Sequence, residues 1–149
     1  MRYHLGSGSE VGLLFPLMHQ RTFYDGLKAE GEQDILMLSR SAWAGSQKYG
    51  AAVWSGDVPS TFDSLRRQIA AGLNIGMSGI PWWTSDIGGF IGGNVNDPGF
   101  RELIVRWFQF GVFCPLFRLH GFREPIPVNW MEGGAANEVW SFGEPAYTI

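Results

Sequence analysis

Two stretches decide how this chain folds: Asp34-Ile35-Leu36-Met37-Leu38-Ser39-Arg40 and Ala51-Ala52-Val53-Trp54-Ser55-Gly56-Asp57. Each is a short apolar run closing on polar residues, as in a strand covered on both faces. Working outward, Gly76 to Asp86 (GMSGIPWWTSD) reads as a third such strand and Val112 to His120 (VFCPLFRLH) as a fourth. Helical spacing fills the gaps between them. Leu13, Leu14, Leu17, Tyr24 and Leu27 predict a helix from about Leu13 to Ala29, with Pro16 in its first turn or kinking it and Gly31 as its stop. Ser60 with Asp63 resembles a capping box, and Phe62, Leu65, Ile69 and Leu73 follow, predicting a helix from Ser60 to about Gly72. Gly72 and Gly76 bracket its exit, and Gly88 to Gly93 is turn-rich. Asp97 and Pro98 start a third helix, whose stripe of Phe100, Leu103, Ile104, Trp107 and Phe108 stops at Gly111. From Gly121 onward, with Pro125, Pro127 and Gly133-Gly134, an irregular course is expected.

Alternating strand and helix units wind a parallel sheet, so the fold class is α/β. The four strands end in Ser39 and Arg40, Ser55 to Asp57, Thr84 to Asp86, and Arg118 and His120. In a parallel barrel these ends share one rim, where substrate sites are built. A complete eight-stranded barrel takes about 250 residues. The 149 residues here hold about half of one.

Composition excludes several other classes. With 45% hydrophobic residues, 17% charged residues and a net charge of -3, the chain reads as one soluble globular unit rather than a disordered one. Its 11 Lys and Arg are scattered singly apart from Arg66 and Arg67, which are read as solvated. They leave no footprint for nucleic acid or an anionic membrane. No apolar run approaches the ~18 residues of a membrane span, and Met1 to Glu10 show no export signal. Cys114 and Met37 are core candidates, and His4 and His19 have no metal-ligand spacing. No metal or cofactor is expected, nothing resembles a phosphate loop, and Gly6-Ser7-Gly8 reads as a turn. Two features ask for a reason: 21 glycines, and 15% aromatic residues with seven tryptophans.

Four ordered motifs carry a resemblance. Arg40-Ser41-Ala42-Trp43-Ala44-Gly45-Ser46-Gln47-Lys48-Tyr49, Trp54-Ser55-Gly56-Asp57, Trp83-Thr84-Ser85-Asp86-Ile87-Gly88-Gly89-Phe90 and Arg118-Leu119-His120-Gly121 resemble the fifth to eighth strands of a family 31 glycoside hydrolase. The likeness runs from about Ser9 to Ile149. It implies that residues 1–149 are part of a (β/α)8 TIM-barrel catalytic domain, about strands 5 to 8 with the preceding helix. It further implies cleavage of terminal α-glycosidic bonds with retention, through two aspartates. The general acid/base carries over to Asp57. The nucleophile lies in a W-x-D-x-x-E type segment at the end of the fourth strand, and no such segment precedes Leu13. Met1 to Glu10 are similar to the stretch that follows it, so the nucleophile is expected upstream.

Retaining glycosidases hold two carboxyl groups about 5 Å apart, one ionised to attack and one protonated to release the leaving oxygen. Asp57 suits the second role, because a nearby negative nucleophile and Trp54 as an apolar wall would hold its proton to higher pH. Without the resemblance, Asp57 reads as a turn or helix-capping residue before Pro59. Arg40 closes an apolar strand and needs a carboxylate or sugar hydroxyls, either in a structural ion pair or at the mouth of the site. His120 is a candidate for a sugar hydroxyl, against a core histidine bonded to backbone. Asp86 is either a hydroxyl acceptor or the cap of the Gly88-Gly89 turn, whose glycines permit backbone angles other residues avoid. Trp54, Trp83 and Phe117 are expected to offer ring faces to a pyranose, whereas Trp82 and Trp107 are read as core.

The substrate implied by the resemblance is an oligosaccharide bearing terminal α-linked xylose or glucose. Trp43 to Asp57 and Pro81-Trp82-Trp83 look most similar to bacterial α-xylosidases that trim xyloglucan oligosaccharides. Two other readings stand beside it. One is an inactive truncated chain that at most binds carbohydrate, with exposed strand edges through which it associates with itself or with the missing barrel half. The other is an unrelated small α/β enzyme in which Asp86 supplies the second carboxylate.

Overall fold

The computed structural model describes residues 1–125 and 136–149. Pro127 and Gly133-Gly134 of the expected irregular tail lie outside the described residues. The chain opens with an antiparallel pair, β1 (Arg2–Tyr3) and β2 (Gly6–Ser7), and a single helical turn, α1 (Gly8–Val11). Gly6 and Ser7, expected in a turn, are thus paired strand.

A long helix, α2 (Leu14–Ala29), follows with Pro16 in its first turn, where a missing N–H costs no intrahelical bond. Gln20, buried in this helix, donates Nε2–H to the Tyr49 carbonyl at 3.2 Å and so fixes α2 on the short 3-10 turn Ser46–Tyr49. Next come three parallel strands in one sheet, β3 (Met37–Ser39), β4 (Ala51–Trp54) and β5 (Trp83–Thr84), in that order. Register runs Met37 to Ala51 and Ser39 to Val53, then Val53 to Trp83 and Trp54 to Thr84. Residues 51 to 53 are buried on both faces, as their unbroken apolar run predicts.

Helix α3 (Phe62–Met77) crosses from β4 to β5. Its cap is Thr61, whose hydroxyl accepts from the Ser64 amide at 3.1 Å, so the expected box of Ser60 and Asp63 does not form. Ser60 Oγ instead donates to the Gly92 carbonyl. Asp63 faces solvent and takes Arg66 and Arg67 at 2.7 and 2.8 Å. Gly72 does not end the helix but lies inside it, because Trp83 packs where its side chain would be: a Cβ there would stand 2.8 Å from the indole. The third expected strand therefore shrinks to β5, since α3 runs on to Met77.

Beyond β5, residues 91–94 form β6 (Ile91–Asn94), which pairs in parallel with β7 (Phe122–Glu124). Between them α4 (Pro98–Gly111) starts as expected: Asp97 caps it, accepting from the Phe100 amide at 3.0 Å, and Pro98 opens it. Its stripe packs with Leu65, Ile87 and Phe142 in the larger core cluster, and fully buried Trp107 donates Nε1–H to Ser85 Oγ at 2.8 Å.

The expected fourth strand, Val112 to His120, is a correction. The segment leaves α4 through turns at Phe113 and Cys114, whose amides still reach back to Phe110 and Gly111. An apolar run does not by itself distinguish a strand from a helix exit, and Pro115 supplies no ladder donor. It nevertheless lies beside β5. Thr84 Oγ1 donates to the Leu116 carbonyl at 2.7 Å, and Ile87 makes one parallel bridge with Leu119. Three paired strands plus this unladdered neighbour form a parallel arc whose connecting helices lie on it, with β3 at one edge.

Candidate active site

The four polar tips meet in pairs. At the ends of β3 and β4, Arg40 Nη2 and Asp57 Oδ2 form an ion pair at 2.7 Å, with the side chains 60% and 40% exposed. The guanidinium also lies over the Trp54 ring at 5.4 Å. Arg40, Trp54, Met37, Ser39 and α2 residues including His19 and Gln20 border a cavity of about 470 Å³. Arg40 is thus the paired cation its position demanded, and the partner is Asp57.

The second pair joins the tips beyond β5 and beside Leu119. Arg118 Nη1 donates to Asp86 Oδ1 at 2.9 Å, and Asp86 is 0% exposed. Its Oδ2 is buried and has no hydrogen-bond partner among the described residues. Burial raises the pKa of Asp86, and the negative charge of Asp57 adds to this; the positive charges of Arg118, His120 and Arg123 oppose it. The Ser55 amide donates to the Thr84 carbonyl at 3.1 Å and fastens the second tip to the third.

The alternatives left open for Asp86 resolve in an unexpected way. Its side chain takes Arg118, and only its backbone carbonyl serves the turn, accepting from the Gly89 amide at 2.9 Å. Gly88 and Gly89 have φ of +89° and +76°, in the region that favours glycine. That turn presents Phe90, whose ring centroid is 5.3 Å from that of His120. His120 itself is exposed, so it is not a core histidine bonded to backbone.

Two of the expected ring platforms are not with this group. Trp83 is 5% exposed and packs with Val53, Ile80 and the slot at Gly72, so its ring faces are occupied; Trp82, read as core, is 45% exposed. The facing is inverted because Trp83 is the first residue of β5 and drops into α3. Phe117, 49% exposed, keeps solvent access while its ring makes a T-shaped contact with Phe108 of α4 at 4.7 Å. Cys114 packs beside the Trp83 cluster, and burial pushes its thiol pKa up, away from nucleophilic character.

Sequence reasoning missed Phe90 and Arg123. Arg123 of β7 is fully buried and donates to the Ile87, Gly89 and Gly92 carbonyls at 3.0, 2.9 and 3.1 Å. Burial pulls its pKa down to about 10, against the opposing charge of Asp86. Nothing local marks this residue, because these carbonyls lie more than 30 positions away. Among the described residues no cluster of His, Cys, Asp and Glu could hold a metal ion, and no helix is long and apolar enough to cross a membrane.

An arc of parallel strands with polar tips gathered on one rim defines an α/β-barrel enzyme domain. The family model described as "Glycosyl hydrolases family 31 TIM-barrel domain" matches residues 3–149, and the chain belongs to that family. It is 61% identical over 124 residues to an uncharacterized family 31 glucosidase of Pseudescherichia vulneris, covering 83% of this chain and 23% of that protein. With an α-xylosidase of Saccharolobus solfataricus it shares 45% identity over 117 residues, covering 78% of this chain and 16% of the relative. Among solved structures, a GH31 α-xylosidase from a soil metagenome, complexed with xylose, superposes with a TM-score of 0.94 at 55% identity, over 99% of this chain and 23% of that one. The chain thus spans about a quarter or less of the length of these relatives.

Proposed function

We propose that the full chain is a retaining α-glycosidase that removes terminal α-linked xylose or glucose from oligosaccharides. Residues 1–149 are read as the second half of its barrel. The observation that carries this is the Arg40–Asp57 pair, half-exposed at the ends of two adjacent parallel strands, with Asp57 on a loop whose Val58 carbonyl accepts from the Phe90 amide. With Oδ2 held by Arg40, Asp57 keeps Oδ1 for the proton that leaves with the glycosidic oxygen. After the sugar has moved to the nucleophile, the same oxygen takes a proton from water. Arg40, Trp54, Phe90 and His120 are assigned to the sugar. Asp86, wholly buried and held by Arg118, cannot reach an anomeric carbon, so the second carboxylate is assigned to a segment outside these residues. This also removes the support for a self-contained small enzyme built on Asp57 and Asp86.

Xylose as the sugar, from xyloglucan-derived oligosaccharides, is supported by the 55% identity to the α-xylosidase complexed with xylose. The experiment is hydrolysis of aryl α-xyloside and aryl α-glucoside by the full chain, with the first-released anomer followed by proton NMR. The α-anomer is expected first, and faster from the xyloside. Release of the β-anomer first, or no hydrolysis, would contradict the reading. A second reading applies to the 149-residue polypeptide alone. Leu36 and Leu38 are exposed at the edge strand β3, which suits association with the other barrel half or with another copy. In the same assay this polypeptide is expected to release neither sugar.

A further inference from the structure

We propose that Arg123 is a positioning residue that clamps the loop carrying Asp57 to the loop carrying Asp86 and Phe90, so that proton donor and sugar wall are set by one buried guanidinium. The first loop is residues 55–61 and the second residues 85–92. They are zipped together by backbone bonds: the Phe90 and Ile91 amides donate to the Val58 carbonyl at 2.8 and 3.1 Å, and the Ser60 amide donates to the Ile91 carbonyl at 3.0 Å. Arg123 grips both sides of this zip. Nη1 donates to Ser60 Oγ at 3.0 Å on the first loop and to the Gly89 and Gly92 carbonyls on the second. Nη2 donates to the Ile87 carbonyl, and Nε donates to Asn137 Oδ1 at 2.6 Å. Ser60 Oγ in turn donates a hydrogen bond to the Gly92 carbonyl, closing the circuit.

The fold makes room for this group at a cost in sequence freedom. A Cβ at Gly121 would overlap the guanidinium, and one at Gly88 would stand 2.9 Å from Nη2. The ring of Phe100 closes the remaining face at 4.9 Å. Among the described residues no carboxylate forms an ion pair with Arg123. A buried cation spent on loop carbonyls rather than on an acid is a costly arrangement. Its return is a planar fork that fixes several oxygens at once, which a lysine cannot reproduce.

The proposal rests on the glycosidase reading for its kinetic test but not for its structural one. In the full chain, Arg123→Lys and the milder Ser60→Ala are compared with wild type. Amide hydrogen exchange should quicken at Ser60, Phe90 and Ile91 together, while the Val53 amide, bonded to Trp82 in the sheet, keeps its protection. In kinetics, Arg123→Lys should lower kcat/KM on an aryl α-xyloside with a poor leaving group by about 100-fold, the scale of a misplaced catalytic group. On α-xylosyl fluoride, whose departure needs no proton donor, the loss in kcat/KM should stay within about threefold, since kcat/KM reports the first displacement and the general-acid contribution is absent there. Ser60→Ala should move both readouts in the same direction by less. Equal losses on both substrates, or unchanged exchange at the three amides, would overturn the clamp. If wild type hydrolyses neither substrate, the glycosidase reading falls, and the exchange measurement still decides the clamp.

Discussion

Asp86 shows what burial does to a single carboxylate. It is covered completely, with one oxygen on Arg118 and the other unpartnered among the described residues. Desolvation outweighs the nearby cations and raises its native pKa above the ordinary 3.8. The native fold therefore binds this proton more tightly than the unfolded chain does. The resulting stabilisation is fully present below pH 3.8 and is lost as pH rises through the raised native value. Asp86→Asn cannot titrate, so the stability of wild type relative to this variant should decline across that window and then level off. Denaturant midpoints measured at a series of pH values check this, and a difference that stays flat with pH would contradict it. At the same scale the sequence was partly legible. Arg40 stood out because a charged group at the end of an apolar strand demands a partner, whereas Asp57 was marked by the motif resemblance alone. Trp82 and Trp83 misled because alternation was counted through residues that precede β5, and the slot at Gly72 that receives Trp83 is made by another element. Arg123 left no signal, since its acceptors are mostly backbone carbonyls and come together only in the fold.

The elements were more legible where helix signals were local. Asp97-Pro98 placed the start of α4, and the stripe from Phe100 to Phe108 gave its buried face. Strands fared worse: the apolar runs were longer than the ladders they form, and β6 and β7 were hidden in glycine-rich and irregular sequence. Their pairing is set by long-range bonds that no local pattern carries. Gly72 offers a direct test of packing between α3 and β5. Alanine suits a helix interior, worth about 1 kcal/mol over glycine. Here its methyl would press on the Trp83 ring at 2.8 Å, and overpacking costs about 1 to 3 kcal/mol. Gly72→Ala should therefore lower stability in urea unfolding of the full chain. A rise in stability would show that Trp83 yields without strain.

At the scale of the whole molecule, the parallel arc brings four chain segments to one rim, where ion pairs and backbone bonds join them. Asp57 sits where those segments open to solvent, and its role as proton donor is the claim on which the proposed activity turns. Asp57→Ala in the full chain tests it most directly, by rates on substrates that differ in their need for a proton. General acid catalysis contributes about 100- to 10,000-fold. The kcat/KM for a xyloglucan-derived oligosaccharide should fall by that much in the variant, while kcat/KM for α-xylosyl fluoride, which reports the first displacement alone, survives far better. Equal rates for variant and wild type on the oligosaccharide, or equal losses on both substrates, would contradict the assignment.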